Sequence, residues 1–225
     1  MIAAAPLPPL VCLDPGHGTP PAVGPQLEPI GPGSRTMKIK DGGGAAGEAA
    51  VALAIARRAR RLLLGRGYRV AMTRTVSTIH LGDGNGNIAR ARFCNRSHAA
   101  LMVRIHADGS TVRSLHGVST LVPAWHRGWT DDIYARSLRA GRALQKAVVR
   151  STGALDRGIV QRADLTGFNW ANVPAVLLET GFMTNPTESR RLRSGSYQQQ
   201  LARGILRGVA VFVPARRATG VMARR

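Results

Sequence analysis

The sequence predicts a three-layer α/β fold, with a mostly parallel twisted sheet flanked by helices. Three observations carry that reading. Short, continuously apolar runs alternate with longer amphipathic segments along the chain, as strands buried on both faces alternate with the helices that cover them. The 225 residues hold no internal repeat and no clear linker, and they suffice for one domain with a full core. Turn-forming and ionisable residues collect where apolar runs end, which is where open parallel sheets place their sites.

The elements follow in order. Leu10-Val11-Cys12-Leu13 is an apolar run stopped by Asp14-Pro15-Gly16, a buried strand and then a turn. Residues 19–47 are rich in Pro and Gly, include Gly42-Gly43-Gly44 and are expected to form one long loop, a feature often functional in a compact domain. Over 48–64, Val51, Leu53, Ile55, Leu62 and Leu63 interleave with alanines, and Arg57, Arg58, Arg60 and Arg61 supply a wet side. That is a helix, stopped by Gly65 and Gly67. Residues 68–72 form the next strand, 82–87 a turn-rich loop, 88–98 a second helix and 101–105 a third strand. A fourth strand is expected at 117–122, a long helix at 131–151 closed by Gly153, and a fifth strand at 175–178 after Pro174. Asn185-Pro186-Thr187-Glu188 has the grammar of a helix start, and 196–213 is the final helix. Residues 1–9 are taken as an N-terminal extension, 10–213 as the functional domain, and 214–225, with Arg216, Arg217, Arg224 and Arg225, as a basic tail.

Composition narrows the function classes. Thirty-two Lys and Arg against 12 Asp and Glu give +20, and only Lys38, Lys40 and Lys146 are lysines. Such a surface attracts polyanions: nucleic acid, an anionic membrane or an acidic polymer. No apolar run approaches the ~20 residues that span a bilayer. Two cysteines, Cys12 and Cys94, exclude a disulfide-rich miniprotein and a four-thiolate zinc module; one disulfide and two buried thiols both remain open. Residues 1–6, MIAAAP, have no basic segment followed by a long apolar one, so they are not an intact signal peptide. An Ala-rich start before Pro is expected just beyond a cleavage site, in the mature form of an exported protein.

His17 follows the first strand, His106 the third and Glu179 the fifth, while Glu48 opens the first helix. Two imidazoles and two carboxylates can therefore meet at one edge of the sheet. The chain has only four glutamates, Glu28, Glu48, Glu179 and Glu188, and Glu179 ends the apolar run Ala175-Val176-Leu177-Leu178. A carboxylate there is costly to desolvate unless a cation or hydrogen bonds hold it. Two imidazoles and one carboxylate with an open position make a common catalytic zinc set, and a second, free carboxylate can take a proton from water. Each residue also has a bland reading: His17 as a turn residue, His106 as a hydrogen-bonded core histidine, Glu48 as a charge favoured at a helix N-terminus. No His-Glu-x-x-His helix is present, and His80, His98, His116 and His126 are read as non-ligands.

The ordered motifs Leu13-Asp14-Pro15-Gly16-His17-Gly18, Glu48, Thr73-Arg74, Arg90, Asn95, Ile105-His106-Ala107-Asp108 and Pro174 through Asn185 resemble the zinc-dependent N-acetylmuramoyl-L-alanine amidases of the amidase 3 type. The likeness covers about residues 10–213, and within the family the chain is similar to the mycobacterial amidases without a wall-binding domain. The resemblance implies a six-stranded sheet and one zinc ion held by His17, Glu48 and His106; the ligand types favour zinc and also admit manganese or cobalt. It implies Glu179 as the catalytic glutamate. The reaction it implies is hydrolysis of the amide between muramic acid and L-alanine of peptidoglycan stem peptides. Arg104 stands where the family often has Ser, and Ala52 where Asn is usual. Many relatives carry a helical insertion between the second His and the catalytic Glu that blocks the zinc; its absence here implies activity without an activator. The resemblance further implies export to the periplasm or cell wall, peptidoglycan as the partner, an arginine surface that holds acidic wall polymers, and a compartment that permits a Cys12–Cys94 disulfide; a monomer is expected.

Two other classes compete. Specific nucleic-acid binding is disfavoured because aromatics are only 4%, too few for stacking platforms, and because the arginines are scattered over many helices. A non-catalytic wall-binding protein would have no chemical reason to keep Glu179.

Overall fold

A computed structural model describes residues 7–82 and 84–215. Most of the N-terminal extension and the tail arginines lie outside the described residues. The sheet has six strands: β1 (Leu10–Pro15), β4 (Arg69–Met72), β5 (Leu101–Asp108), β6 (Val118–Pro123), β7 (Asp156–Arg162) and β8 (Ala175–Phe182). Their spatial order is β4-β1-β5-β8-β6-β7. β4, β1, β5 and β8 are mutually parallel, and β6 pairs antiparallel with β8 and parallel with β7. The expected mostly parallel sheet is present.

Helices cover it unequally. α1 (Glu48–Gly65), α3 (Tyr134–Thr152) and α6 (Gly195–Phe212) pack on one face, burying Val51, Ile55, Leu144, Val148, Leu201 and Ile205 against Val11, Val103, Val122 and Val176. α2 (Asn87–Arg96) and the single turn α4 (Thr166–Asn169) serve the other face, with Phe168, Met102, Leu177 and the Cys12–Cys94 disulfide buried there. α5 (Pro186–Arg193) precedes α6.

Helix ends follow the expected chemistry. Asn185 accepts from Thr187 N and Glu188 N, with Pro186 in the first turn, and Gly153 closes α3 in the left-handed region. Glu188 does not bond back to the cap. Its oxygens accept from Gly117 N (2.9 Å) and Phe182 N (2.7 Å), joining the ends of β6 and β8.

Three expectations change. The 19–47 segment is not one loop: it contains the antiparallel hairpin β2 (Leu27–Pro29) and β3 (Met37–Ile39). Glu28, buried in that hairpin, accepts from Asn87 N (2.9 Å) and Ile88 N (3.2 Å). It thereby satisfies the first turn of α2, where Gly86 has no side chain to cap with. The helix expected from 131 starts at Tyr134, after a turn in which Asp131 accepts from Gly128 N. β7 has no counterpart in the sequence reading. DRGIVQR is an edge strand, polar along much of its length, and lacks the apolar run of a covered strand.

Candidate active site

The strand order creates the site. From β1 the chain crosses to β4 on one side and then to β5 on the other. The crevice beyond the carboxyl ends of β1 and β5 is therefore a switch point. His17 lies just past β1, His106 near the end of β5, and Glu48 at the first position of α1.

The turn carrying His17 is clamped by buried arginines. His17 has φ 58°, a left-handed conformation that costs about 1–3 kcal/mol for a residue with a Cβ. Arg90 Nη2 donates to His17 O (2.6 Å), and Arg74 donates to Pro15 O (3.1 Å) and Gly16 O (2.7 Å). Beneath them Asp14, fully buried, accepts from Thr73 Oγ1 (2.6 Å), Arg90 Nη1 (2.7 Å) and Arg104 Nε (2.8 Å). Burial works against the Asp14 charge, but Arg90 and Arg104 outweigh it and hold the carboxyl well below the usual range. Arg104 thus supports the strand ends, and its Nη2 also donates to Asn87 Oδ1 (2.6 Å). Ala52 is packed in the α1 core. Asn95 ties α2 to the α4–β8 connection through Trp170 O (2.9 Å) and Asn172 N (2.8 Å).

Three side chains converge. Glu48 Oε1 lies 2.9 Å from His17 Nε2 and 3.0 Å from His106 Nδ1, and it accepts from Ala107 N (3.2 Å). Glu48 Oε2 accepts from Ala45 N (2.9 Å). One donor atom from each of His17, Glu48 and His106 lies within 4.8 Å of the others, an arrangement that could hold a metal ion. Two glycines keep the space open. A Cβ on Gly16 would come within 2.3–2.6 Å of the His106 ring, and one on Gly44 within 2.5 Å of Glu48 Oε2 and His17 Nε2. Burial opposes a charge on Glu48, but hydrogen bonds to His106 and His17 hold its pKa at about 2. Burial likewise opposes a His17 cation, but hydrogen bonds to Asp41 and Glu48 raise it to about 9. Burial dominates at His106 and lowers its pKa.

Asp41 is the member the sequence reading missed. Its Oδ1 lies 2.6 Å from His17 Nδ1 and accepts from Gly43 N (2.8 Å), while its Oδ2 accepts from Thr19 N (3.3 Å). A carboxylate on the far nitrogen of an imidazole fixes the tautomer and leaves the other nitrogen as the ligand atom. The available signal was an acid followed by three glycines, Asp41-Gly42-Gly43-Gly44, inside the long Pro/Gly-rich segment.

Glu179 differs from its expected place at a strand end: β8 continues to Phe182. In register it faces His106 on β5 and Ser119 on β6, midway between the three donors and an open groove. Its Oε2 is buried with no hydrogen-bond partner. Burial raises its pKa well above the usual range, and Asp108 and Glu48 raise it further. The groove, of about 380 Å³, lies on the sheet face opposite α3, lined by Asp108, Ser119, Arg157, Arg162, Glu179 and Phe182 among others. The hairpin segment lies along the same side. Lys38 binds Asp164 (3.0 Å), and Trp129 and Trp170 donate to Pro32 O and Pro29 O. Of the histidines read as non-ligands, His116 bonds Ser114 O and His126 stacks on Trp129 at 3.9 Å; His80 and His98 also lie outside the donor group.

Comparison with known proteins gives a consistent picture. A family model described as N-acetylmuramoyl-L-alanine amidase (Amidase_3) matches residues 11–211. The chain is 28% identical to N-acetylmuramoyl-L-alanine amidase AmiC of Neisseria meningitidis, over 91% of this chain and 53% of the relative. It is also 28% identical to an N-acetylmuramoyl-L-alanine amidase of Mycobacterium tuberculosis, over 69% of this chain and 64% of that one. It thus spans about half to two-thirds of the length of these curated relatives. The crystal structure of the N-acetylmuramyl-L-alanine amidase of Mycobacterium smegmatis superposes with a TM-score of 0.80 at 28% identity, covering 91% of this chain and 96% of that one.

Proposed function

The chain belongs to the N-acetylmuramoyl-L-alanine amidase family, and from that premise we propose that it hydrolyses the amide joining N-acetylmuramic acid to L-alanine in peptidoglycan stem peptides. The observation that carries the proposal is the three-donor group with an unpartnered carboxylate, Glu179, on the adjacent strand.

The donor set suits zinc. Two imidazoles and a carboxylate are a common zinc donor set; Glu48 Oε1 stands 2.9 and 3.0 Å from the two imidazole nitrogens, and the three donor atoms all lie within 4.8 Å of one another. His17, Glu48 and His106 would hold the ion, with Asp41 orienting His17. When bound, zinc supplies a Lewis acid that polarises the amide carbonyl and acidifies water.

The chain's own groups do the rest. Glu179 takes the proton from the attacking water and returns it to the alanine nitrogen as the C–N bond breaks. Burial raises the proton affinity of this carboxyl, which suits it to hold the proton between the two steps. Arg74 and Arg90 hold the His17 turn, and Asp14 holds Arg90. Between His106 and Glu179 the helices are α3, packed on α6 and β6, and the single turn α4, which supports activity without an activator protein. No helix among the described residues is long and apolar enough to cross a membrane. We further propose an exported monomer whose catalytic domain is residues 10–213, held to acidic wall polymers by its arginines.

The test is incubation of zinc-reconstituted protein with muramyl dipeptide, with products identified by mass spectrometry. Free N-acetylmuramic acid and L-alanyl-D-isoglutamine are expected. Intact substrate with a stoichiometric bound metal, or cleavage at another bond, would refute the assignment.

A further inference from the structure

We propose that Arg157, with Arg162 behind it, forms a subsite for a carboxylate on the second residue of the stem peptide, so that the protein prefers an acidic stem to an amidated one. This inference rests on the amidase reading above and names the chemistry of the peptide side of the site.

Position supports it. The groove runs from Glu179 on β8 across Ser119 on β6 to Arg157 and Arg162 on β7. It lies on the side of Glu179 away from the donors contributed by β1, β5 and α1. Neighbouring strands stand ~4.8 Å apart, so β7 lies about 10 Å from β8. An extended peptide advances ~3.3–3.6 Å per residue, which puts a carboxylate of the second residue about 7 Å from the scissile nitrogen. An arginine side chain reaching back from β7 covers the remainder.

The two cations are not equivalent. Arg162 is already fixed: its Nε and Nη2 bind Asp164 Oδ1 and Oδ2 at 2.7 Å each, and Lys38 holds Asp164 in turn. Arg157 lies over the Phe182 ring at 5.4 Å and donates one long bond to His116 O (3.3 Å). It makes no ion pair with any described residue. A guanidinium held in place by an aromatic face, with its fork open, is suited to bind a carboxylate through two parallel bonds. The rest of the groove needs such a cation. Asp108 and Glu179 line the same space and would repel an acidic peptide if nothing offset them.

The experiment compares N-acetylmuramoyl-L-alanyl-D-glutamate with its diamide, in which both glutamyl carboxyls are amidated. Each is hydrolysed by the zinc-loaded wild-type protein and by Arg157→Gln, Arg157→Lys and, as a charge control on α1, Arg61→Gln. Wild type is expected to show a KM about tenfold lower for the diacid, the size of one charge-assisted contact. Arg157→Gln should remove that preference by raising KM for the diacid alone at unchanged kcat, and Arg157→Lys should restore part of it. Arg61→Gln should keep the preference. Equal KM values for the two substrates in wild type, or an Arg157→Gln effect equal on both, would overturn the subsite and leave the amidase reading standing. If wild type cleaves neither substrate, the amidase reading fails and the subsite falls with it.

Discussion

Glu48 and Glu179 carry the same side chain into neighbouring parts of one crevice, and their surroundings treat it oppositely. Glu48 opens α1 and accepts from two backbone N–H groups; burial opposes its charge, but its hydrogen bonds to His106 and His17 outweigh that and bring its pKa to about 2. Glu179 sits on β8 with Oε2 buried and unpartnered, so burial and the nearby Asp108 and Glu48 charges push its pKa well up. The comparison extends to the other two glutamates. Glu28 and Glu188 spend their oxygens on backbone N–H groups at α2 and at the ends of β6 and β8. A carboxylate with partners is a ligand or a brace; one kept without them is available to a proton. Carboxylates whose pKa values are driven apart in one site mark a division of roles.

The largest expected break in this contrast is Glu179→Gln. It should lower kcat on muramyl dipeptide about 10²–10⁴-fold, the usual share of a general acid–base, while metal content measured by mass spectrometry is unchanged. A variant that loses its metal would show that Glu179 belongs with the donors instead.

Asp14→Asn comes next and probes the floor under Glu48's side of the site. It leaves Arg90 and Arg104 buried without their counter-charge, at a cost of about 3–5 kcal/mol in urea unfolding. The pH dependence has a definite sign. The folded-state pKa of Asp14 is depressed, so its contribution is complete above the unfolded value near ~3.9. It is lost as the pH falls further and the folded carboxyl takes up its proton. Wild type should therefore weaken below about pH 4 more steeply than Asp14→Asn does; parallel curves would deny Asp14 that role.

Glu48→Gln should weaken zinc binding by about 100-fold or more, since it removes a ligand and not an outer partner, with the loss read by competition against a chelator. Asp41→Asn is the finest probe. Zinc affinity is expected to fall about 10–100-fold, with most of kcat recovered at saturating zinc. An affinity equal to wild type would reduce Asp41 to a loop anchor.

Much of this was legible from local chemistry. Apolar runs and helix stops located β1, β5, β8, α1 and α6, and the scarcity of glutamate drew attention to Glu179. What was missed has a common cause. β7 is an edge strand whose polar residues face solvent and the groove, so no apolar run announces it. The β2–β3 hairpin lies in Pro- and Gly-rich sequence, where turn composition masks three-residue strands. Asp41 acts on a histidine 24 residues away, and nothing local to either residue specifies that pairing.

The sequence by itself determined which chemical groups exist, their order, and the periodicities that make strands and helices, because these depend on side-chain identity and near neighbours. Tertiary structure alone decided which groups meet. Strand order β4-β1-β5-β8-β6-β7 sets His17 against His106, and the β5–β8 register sets His106 beside Glu179. A crossover also put Arg157 two strands from Glu179. Those contacts join residues tens of positions apart. Their energies come from burial and pairing across the sheet, and no window along the chain contains both partners.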